Sequence, residues 1–157
     1  ILLTNTRGTA VIRYYEAEKH FTVQVSDNGA SLVTEQITNE ATKNTKIIDS
    51  VGKLSLKQLF CLMGKLSLFI GNDAGAMHIA AAQGAKTIGL FGPNLPVRFA
   101  PYGKNNIAVY KGEICEFSPC INVHKGEVPD CLYSRNSKDY QKCMKNIGVG
   151  EVIEVIK

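Results

Sequence analysis

An aspartate five residues ahead of a histidine, in a run otherwise made of glycine, alanine and small apolar residues, carries the most chemistry in this sequence: Ile70-Gly-Asn-Asp-Ala-Gly-Ala-Met-His-Ile-Ala-Ala-Ala-Gln-Gly84. It reads as a strand ending at Ile70, a tight turn over Gly71 to Gly75, and a small-residue helix over Ala76 to Gln83 closed by Gly84. In an open parallel sheet such a turn lies at the carboxyl end of a strand, where ligands bind. A helix start offers unpaired backbone N–H groups and the positive end of the helix dipole, both suited to phosphate. Ala74, Gly75 and Ala76 are small enough for a diphosphate to approach the backbone. Asp73 is placed to cap the helix or to accept hydrogen bonds from sugar hydroxyls, and His78 to donate to a phosphate oxygen. The chemistry expected is that of an anionic, hydroxyl-rich ligand. Plainer readings stand beside it: Asp73 as an N-cap only, His78 as a buried, hydrogen-bonded helix residue, and Met77, Ile79 and the alanines as sheet packing.

The elements that must hold this turn follow from periodicity. Phe21 to Val25 reads as a strand, and Leu32, Val33, Ile37 and Ala41 recur as one face of a helix. Lys46 to Asp49 reads as the next strand, with a helix from an N-cap at Ser55 to a stop at Gly64. Ser67 to Ile70 and Lys86 to Phe91 are further strands, and Gly92-Pro93 breaks the pattern. Strands separated by helices of this length predict an α/β fold with a Rossmann-like, doubly wound parallel sheet. Ile107 to Tyr110 recovers regularity, 112–146 is an irregular cysteine-bearing segment, and Glu151 to Lys157 suits a closing helix. In the opening segment, Ile1 to Leu3 resembles a strand, while Tyr14 to Lys19 fits helix or irregular structure equally.

The 157 residues, 45% apolar and 20% charged, have the composition of one globular domain. No apolar stretch approaches the length needed to cross a bilayer. The net charge of +4 is spread without Lys/Arg runs, so no nucleic-acid footprint is expected. The chain opens at Ile1, with no initiator Met, inside what reads as a strand, which suggests a fragment boundary.

Taken together, Gly71 to Ala82 followed closely by Leu90-Phe-Gly-Pro93 resembles the hallmark of the heptosyltransferase family of GT-B glycosyltransferases, glycosyltransferase family 9. Gly52-Lys-Leu-Ser-Leu56 is similar to a Gly-Lys-Thr-Ser-Leu turn of that family, and the cysteine-bearing stretch with Ser118-Pro-Cys120 and Cys143-Met144 has counterparts in many members. The resemblance implies a two-domain enzyme. Its C-terminal, Rossmann-like half holds a nucleotide-activated sugar, and its N-terminal half binds the acceptor and supplies the catalytic base. On that reading residues 1–157 are a single nucleotide-sugar-binding domain, the acceptor domain is absent, and the fragment alone is inactive. Asp73 would contact the donor sugar, the backbone at Ala74 and Gly75 with His78 would hold the diphosphate, and the Lys53-Leu54 turn would pack against the base. Ala74 departs from the hydroxyl residue commoner there. Arg7 and Arg13 are the available counterparts of a basic residue that neutralises the leaving diphosphate.

The resemblance further implies an ADP-heptose-like donor, no cofactor, no metal for the transfer step, and a saccharide or lipid-linked acceptor of the lipopolysaccharide core or a related glycan. It places the reaction in the cytoplasm, at the inner face of the bacterial inner membrane with peripheral membrane contact. Two other function classes are weighed against it. A dinucleotide-binding oxidoreductase domain requires Gly-x-Gly-x-x-Gly in the first βα turn, and Gly71 and Gly75 have neither that spacing nor that place. A metal-stabilised interaction module would rest on Cys115, Cys120, Cys131 and Cys143, whose gaps of four, ten and eleven residues are looser than zinc-ribbon spacings. The segment around them is poor in large apolar residues, so at least two of the four are expected to lie within bridging reach, in a clasp remote from the transfer chemistry.

Overall fold

The computed structural model describes residues 2–5, 8–15, 20–27, 46–47, 54–127 and 129–156. The order of elements is β1 (Leu2–Asn5), β2 (Gly8–Tyr15), β3 (His20–Asp27), β4 (Lys46–Ile47), α1 (Leu56–Met63), β5 (Leu68–Asn72), α2 (Gly75–Ala82), β6 (Lys86–Phe91), α3 (Pro96–Phe99), β7 (Ile107–Tyr110), α4 (Lys142–Lys145) and α5 (Val149–Ile156), with 3-10 turns at Gly112–Ile114 and Val123–Lys125.

The parallel ladder expected from the βα rhythm is present as β3-β5-β6-β7, in the register Val25↔Gly71, Asn72↔Leu90 and Phe91↔Tyr110. At its other end, beyond β3, the sheet continues antiparallel. β2 pairs antiparallel with β3 along its whole length, Gly8↔Asp27 to Tyr15↔His20, so β1 and the short β4 share its far edge, both antiparallel. β4, expected as a further parallel strand, is therefore an edge strand of this hairpin, and Tyr14-Tyr15 ends a strand. The helix expected over Leu32 to Ala41 lies outside the described residues.

Side chains alternate along a strand, and both faces of β5, β6 and β7 are covered, as a doubly wound sheet requires. Phe69 and Phe91 face Met63, Met77 and Ala80 of α1 and α2. Ile70, Ile88, Leu90 and Val109 face Cys143, Met144, Ile147 and Val152 around α4 and α5. Each large side chain buried this way contributes about 1.5–3 kcal/mol relative to exposure. Gly89 makes the first layer possible, since a Cβ there would lie 2.6 Å from Met77 Sδ and 2.6 Å from Phe91 Cε2.

Local chemistry sets the element ends. Ser55 and Gln58 form a capping box, the Ser55 side chain accepting from Gln58 N–H while Ser55 N–H donates to Gln58 Oε1 at 2.8 Å; Gly64 closes the helix. Gly84, at φ +86°, turns the chain into β6 in a conformation an L side chain rarely adopts. Thr87 N–H lies one residue before the β6–β7 ladder begins at Ile88↔Ile107, and Asn106 Oδ1 accepts from it at 2.7 Å. Lys86 Nζ donates to Ile156 O at 2.9 Å, satisfying a carbonyl at the C-terminus of α5. Among the described residues, no helix is long and apolar enough to cross a membrane.

Candidate functional site

β5 ends at Asn72 and α2 begins at Gly75, so Asp73 and Ala74 form the connection at the carboxyl end of the parallel ladder. The N-cap is Ala74, in extended conformation at φ −152°, and among the described residues no side chain caps the helix. Asp73 is thus not the cap, which corrects that reading. Its backbone N–H still donates to Leu90 O at 3.3 Å, continuing the β5–β6 ladder by one residue. The carboxylate is held elsewhere: Asp73 Oδ2 accepts from Asn94 Nδ2 at 2.6 Å, and Oδ1 lies 3.9 Å from His78 Nε2.

The start of α2 is consequently bare. Ala74 and Gly75 are exposed, and a Cβ built on Gly75 would meet nothing within 4 Å. Packing within the described chain does not demand a glycine there, whereas a ligand approaching the backbone would. His78 leaves 47% of its side chain in solvent and Asp73 15%, which rules out the buried-helix reading of His78. Burial raises the Asp73 carboxyl above its ordinary value, while the Asn94 hydrogen bond and the nearby His78 pull it back down. Asn72, only 8% exposed, has a buried Oδ1 without a hydrogen-bond partner among the described residues. A buried orphan acceptor costs about 1–3 kcal/mol, so a donor is wanted there.

Of the residues expected at the site, Asp73, Ala74, Gly75 and His78 are brought together. Leu54 is half-buried just ahead of the Ser55 cap. α1 leads into β5 through the short turn after Gly64, so its N-terminus, with Leu54, points to the same end of the sheet as Asp73. Lys53 and Arg7 lie outside the described residues, and Arg13 is described by its backbone alone, in β2.

Asn94 was not singled out from sequence, although it directly follows the Phe91-Gly-Pro93 run that was. It is 6% exposed. It reaches Asp73 because β6 ends level with β5 and the Gly92–Asn94 turn folds over the strand ends. The cysteine-bearing segment holds that turn. Ser118 Oγ donates to Gly92 O at 2.8 Å, and Cys120 N–H donates to Pro93 O at 3.0 Å. A Cβ on Gly92 would lie 2.7 Å from Cys143 Sγ. The expectation that this segment is remote from the site is therefore wrong: it buttresses the turn that presents Asn94 to Asp73.

Cys115 packs against the core cluster that contains Cys143, and Gln141 N–H donates to Cys131 Sγ at 3.3 Å. Burial pushes the Cys143 thiol up to about 11, with Cys115, Cys120 and Cys131 pushing the same way. Burial also raises Cys120, helped by Cys131 and Cys115. The five cysteines are free thiols, and among the described residues no group of three or more His, Cys, Asp or Glu is placed to hold a metal ion.

The family model described as glycosyltransferase family 9 (heptosyltransferase) matches residues 9–126. Lipooligosaccharide heptosyltransferase 2 of Campylobacter jejuni is 27% identical over 134 residues, covering 82% of this chain and 39% of that protein. The lipopolysaccharide core heptosyltransferase of Haemophilus influenzae is 44% identical over 62 residues, 38% of this chain and 18% of that protein. Among solved structures, a glycosyl transferase family 9 protein from Veillonella parvula superposes with a TM-score of 0.51 at 26% identity, over 73% of this chain and 30% of that one. The chain thus spans less than half the length of these relatives. With the family model covering most of its length, the chain belongs to glycosyltransferase family 9, the heptosyltransferase family.

Proposed function

We propose that this chain is the nucleotide-sugar-binding part of a glycosyltransferase that moves a heptose-like sugar from a nucleoside diphosphate to an acceptor of the lipopolysaccharide core or a related glycan. The observation that carries the reading is the start of α2, uncapped among the described residues, beside a carboxylate held by Asn94. A free carboxylate over the first turn would compete with phosphate for the backbone N–H groups. Held by Asn94, Asp73 leaves them open to an anion while staying available to sugar hydroxyls.

In the proposed reaction the acceptor hydroxyl oxygen forms a bond to the anomeric carbon, the bond from that carbon to the diphosphate oxygen breaks, and a base takes the hydroxyl proton. The base is expected in the acceptor-binding domain. This chain's part is to stabilise the charge on the departing diphosphate, through N–H groups at the start of α2 and a His78 hydrogen bond. Asp73 orients the sugar, and the turn at Lys53-Leu54 packs against the nucleotide's purine or pyrimidine ring. No cofactor is required. The relatives' names support the lipopolysaccharide setting, and the cytoplasmic face of the inner membrane is the proposed place of the reaction.

Calorimetry with ADP-sugars, other nucleotide sugars and nicotinamide dinucleotides tests the reading. Nucleoside diphosphate sugars are expected to bind more tightly, and Asp73→Ala is expected to weaken the sugar-dependent part of that binding while the fold survives. Equal or tighter binding of dinucleotides would overturn the donor-site assignment.

A further inference from the structure

Four of the five thiols gather around the Gly92–Asn94 turn and the start of α4. Cys143, on α4, is buried with its Sγ against Gly92, where a Cβ would lie 2.7 Å from it. Cys120 abuts the next residue, its N–H donating to Pro93 O at 3.0 Å. Cys131 Sγ accepts at 3.3 Å from the N–H of Gln141, which precedes Cys143 by two positions. Cys115 ends the Gly112–Ile114 turn, which packs on α4, and is itself packed against the cluster that holds Cys143. After burial, Cys115 is the neighbouring thiol that acts most on Cys143, as Cys131 is for Cys120. Cys61 stands apart, exposed on α1, which covers the opposite face of the sheet.

Exposure decides the order in which these thiols react. Cys115 is half-buried and Cys143 buried, so a small oxidant in solution meets Cys115 first and Cys143 is reached from inside the protein. Among the described residues no group of three or more ligands is placed to hold a metal ion, whereas two neighbouring thiols suffice for exchange with a disulfide. The segment that carries them has little packing of its own. Ile114, Phe117 and Leu132 are exposed, and hydrogen bonds from Ser118 and Cys120 tie it to the turn. A covalent tie between Cys115 and α4 would hold the segment where apolar burial does not, by restricting the unfolded chain.

We propose that Cys115 and Cys143 form a reversible dithiol–disulfide site, oxidised by a low-molecular-weight disulfide such as glutathione disulfide, whose bridge clasps the cysteine-bearing segment to α4 behind the Gly92–Asn94 turn. The Cys115 thiolate attacks one sulfur of the oxidant, forming a mixed disulfide and expelling one glutathione thiolate. The Cys143 thiolate then attacks the Cys115 sulfur. The bond from Cys115 to glutathione breaks, the Cys115–Cys143 bond forms and the second glutathione leaves. The two protein thiols give up two electrons and two protons, and the oxidant takes them up as two glutathione thiols. With its thiol pushed up to about 11, Cys143 makes the second step the slow one. Excess reduced glutathione runs the same steps backwards.

The test equilibrates the intact protein with a series of oxidised-to-reduced glutathione ratios, quenches by alkylation and maps the linkages by peptide mass spectrometry. A Cys115–Cys143 linkage is expected to accumulate as the oxidised share rises, after a transient glutathione adduct on Cys115, and to vanish on return to excess reduced glutathione. The oxidised protein should melt about 5 °C or more above the reduced one. Cys115→Ser should abolish both the linkage and the gain in Tm, and Cys61→Ser should leave both. The linkage map of the wild type decides the pairing even where a variant folds poorly. A Cys120–Cys131 linkage in place of the expected one, an adduct on Cys115 that never resolves, or a bridged protein no more stable than the reduced one would overturn the proposal.

Discussion

Asn94 donates a 2.6 Å hydrogen bond to Asp73 from 21 residues further along the chain, and this one contact joins the β5–α2 connection to the turn after β6. Asp73 is a half-buried carboxylate whose ionised form is disfavoured by burial and favoured by Asn94. Asn94→Ala should therefore push the Asp73 carboxyl further up. If the ionised form is the one that serves transfer, the acid limb of the pH–rate profile moves to higher pH and kcat/KM at neutral pH falls. A lower rate with an unmoved acid limb would show that Asn94 acts by packing alone.

The same raised carboxyl makes a statement about stability. Its folded value lies above the unfolded one, so ionised Asp73 destabilises the fold at pH above the folded value, and that penalty disappears as pH falls below the unfolded value. Asp73→Asn should have a Tm equal to or above the wild type at neutral pH, the difference shrinking as pH is lowered through the carboxylate range. Thermal melts across that range check it, and a variant less stable at neutral pH would contradict it.

Gly92 is packed too tightly for any side chain, since a Cβ would sit 2.7 Å from Cys143 Sγ and 2.8 Å from Met144 Sδ. Gly92→Ala should destabilise by about 1–3 kcal/mol, and Cys143→Ala in the same chain should recover part of it, because the two sites touch. The turn also carries Asn94, so nucleotide-sugar affinity should fall with the single change and return with the double one. Additive losses in denaturant titrations would show that the two positions are independent.

Thiol reactivity should follow burial. With the Cys143 thiol pushed up to about 11, only about one thiol in a thousand is ionised at pH 8, and the thiolate is the nucleophile. Cys61 is exposed on α1 and should be alkylated first, Cys143 last. Mass spectrometry of a labelling time course on the native protein reads this order directly. Early modification of Cys143 would mean that the cysteine-bearing segment does not pack over Gly92 as described.

What the sequence determined by itself is what depends on near neighbours. The Ser55–Gln58 box, the Gly64 stop, strand β6 from Lys86 to Phe91 and the turn from Asp73 into α2 all rest on periodicity or on contacts within a turn or two, and each was legible in the residues. Their combination with Phe91-Gly-Pro93 was also enough to indicate the family. What the tertiary structure decided is where long-range partners meet. A sequence pattern cannot tell that Asp73 leaves the helix cap to Ala74, because the choice depends on Asn94, and Asn94 arrives only when β5 and β6 align Asn72 with Leu90. Nor does local texture reveal that β2 runs antiparallel to β3, since a strand's own residues do not specify the direction of its neighbour. The cysteine-bearing segment is the plainest case. Poor in large apolar residues, it has little periodicity to read, and its role as the buttress of the Gly92–Asn94 turn comes from hydrogen bonds and van der Waals contact with a strand end that the chain left some 25 residues earlier.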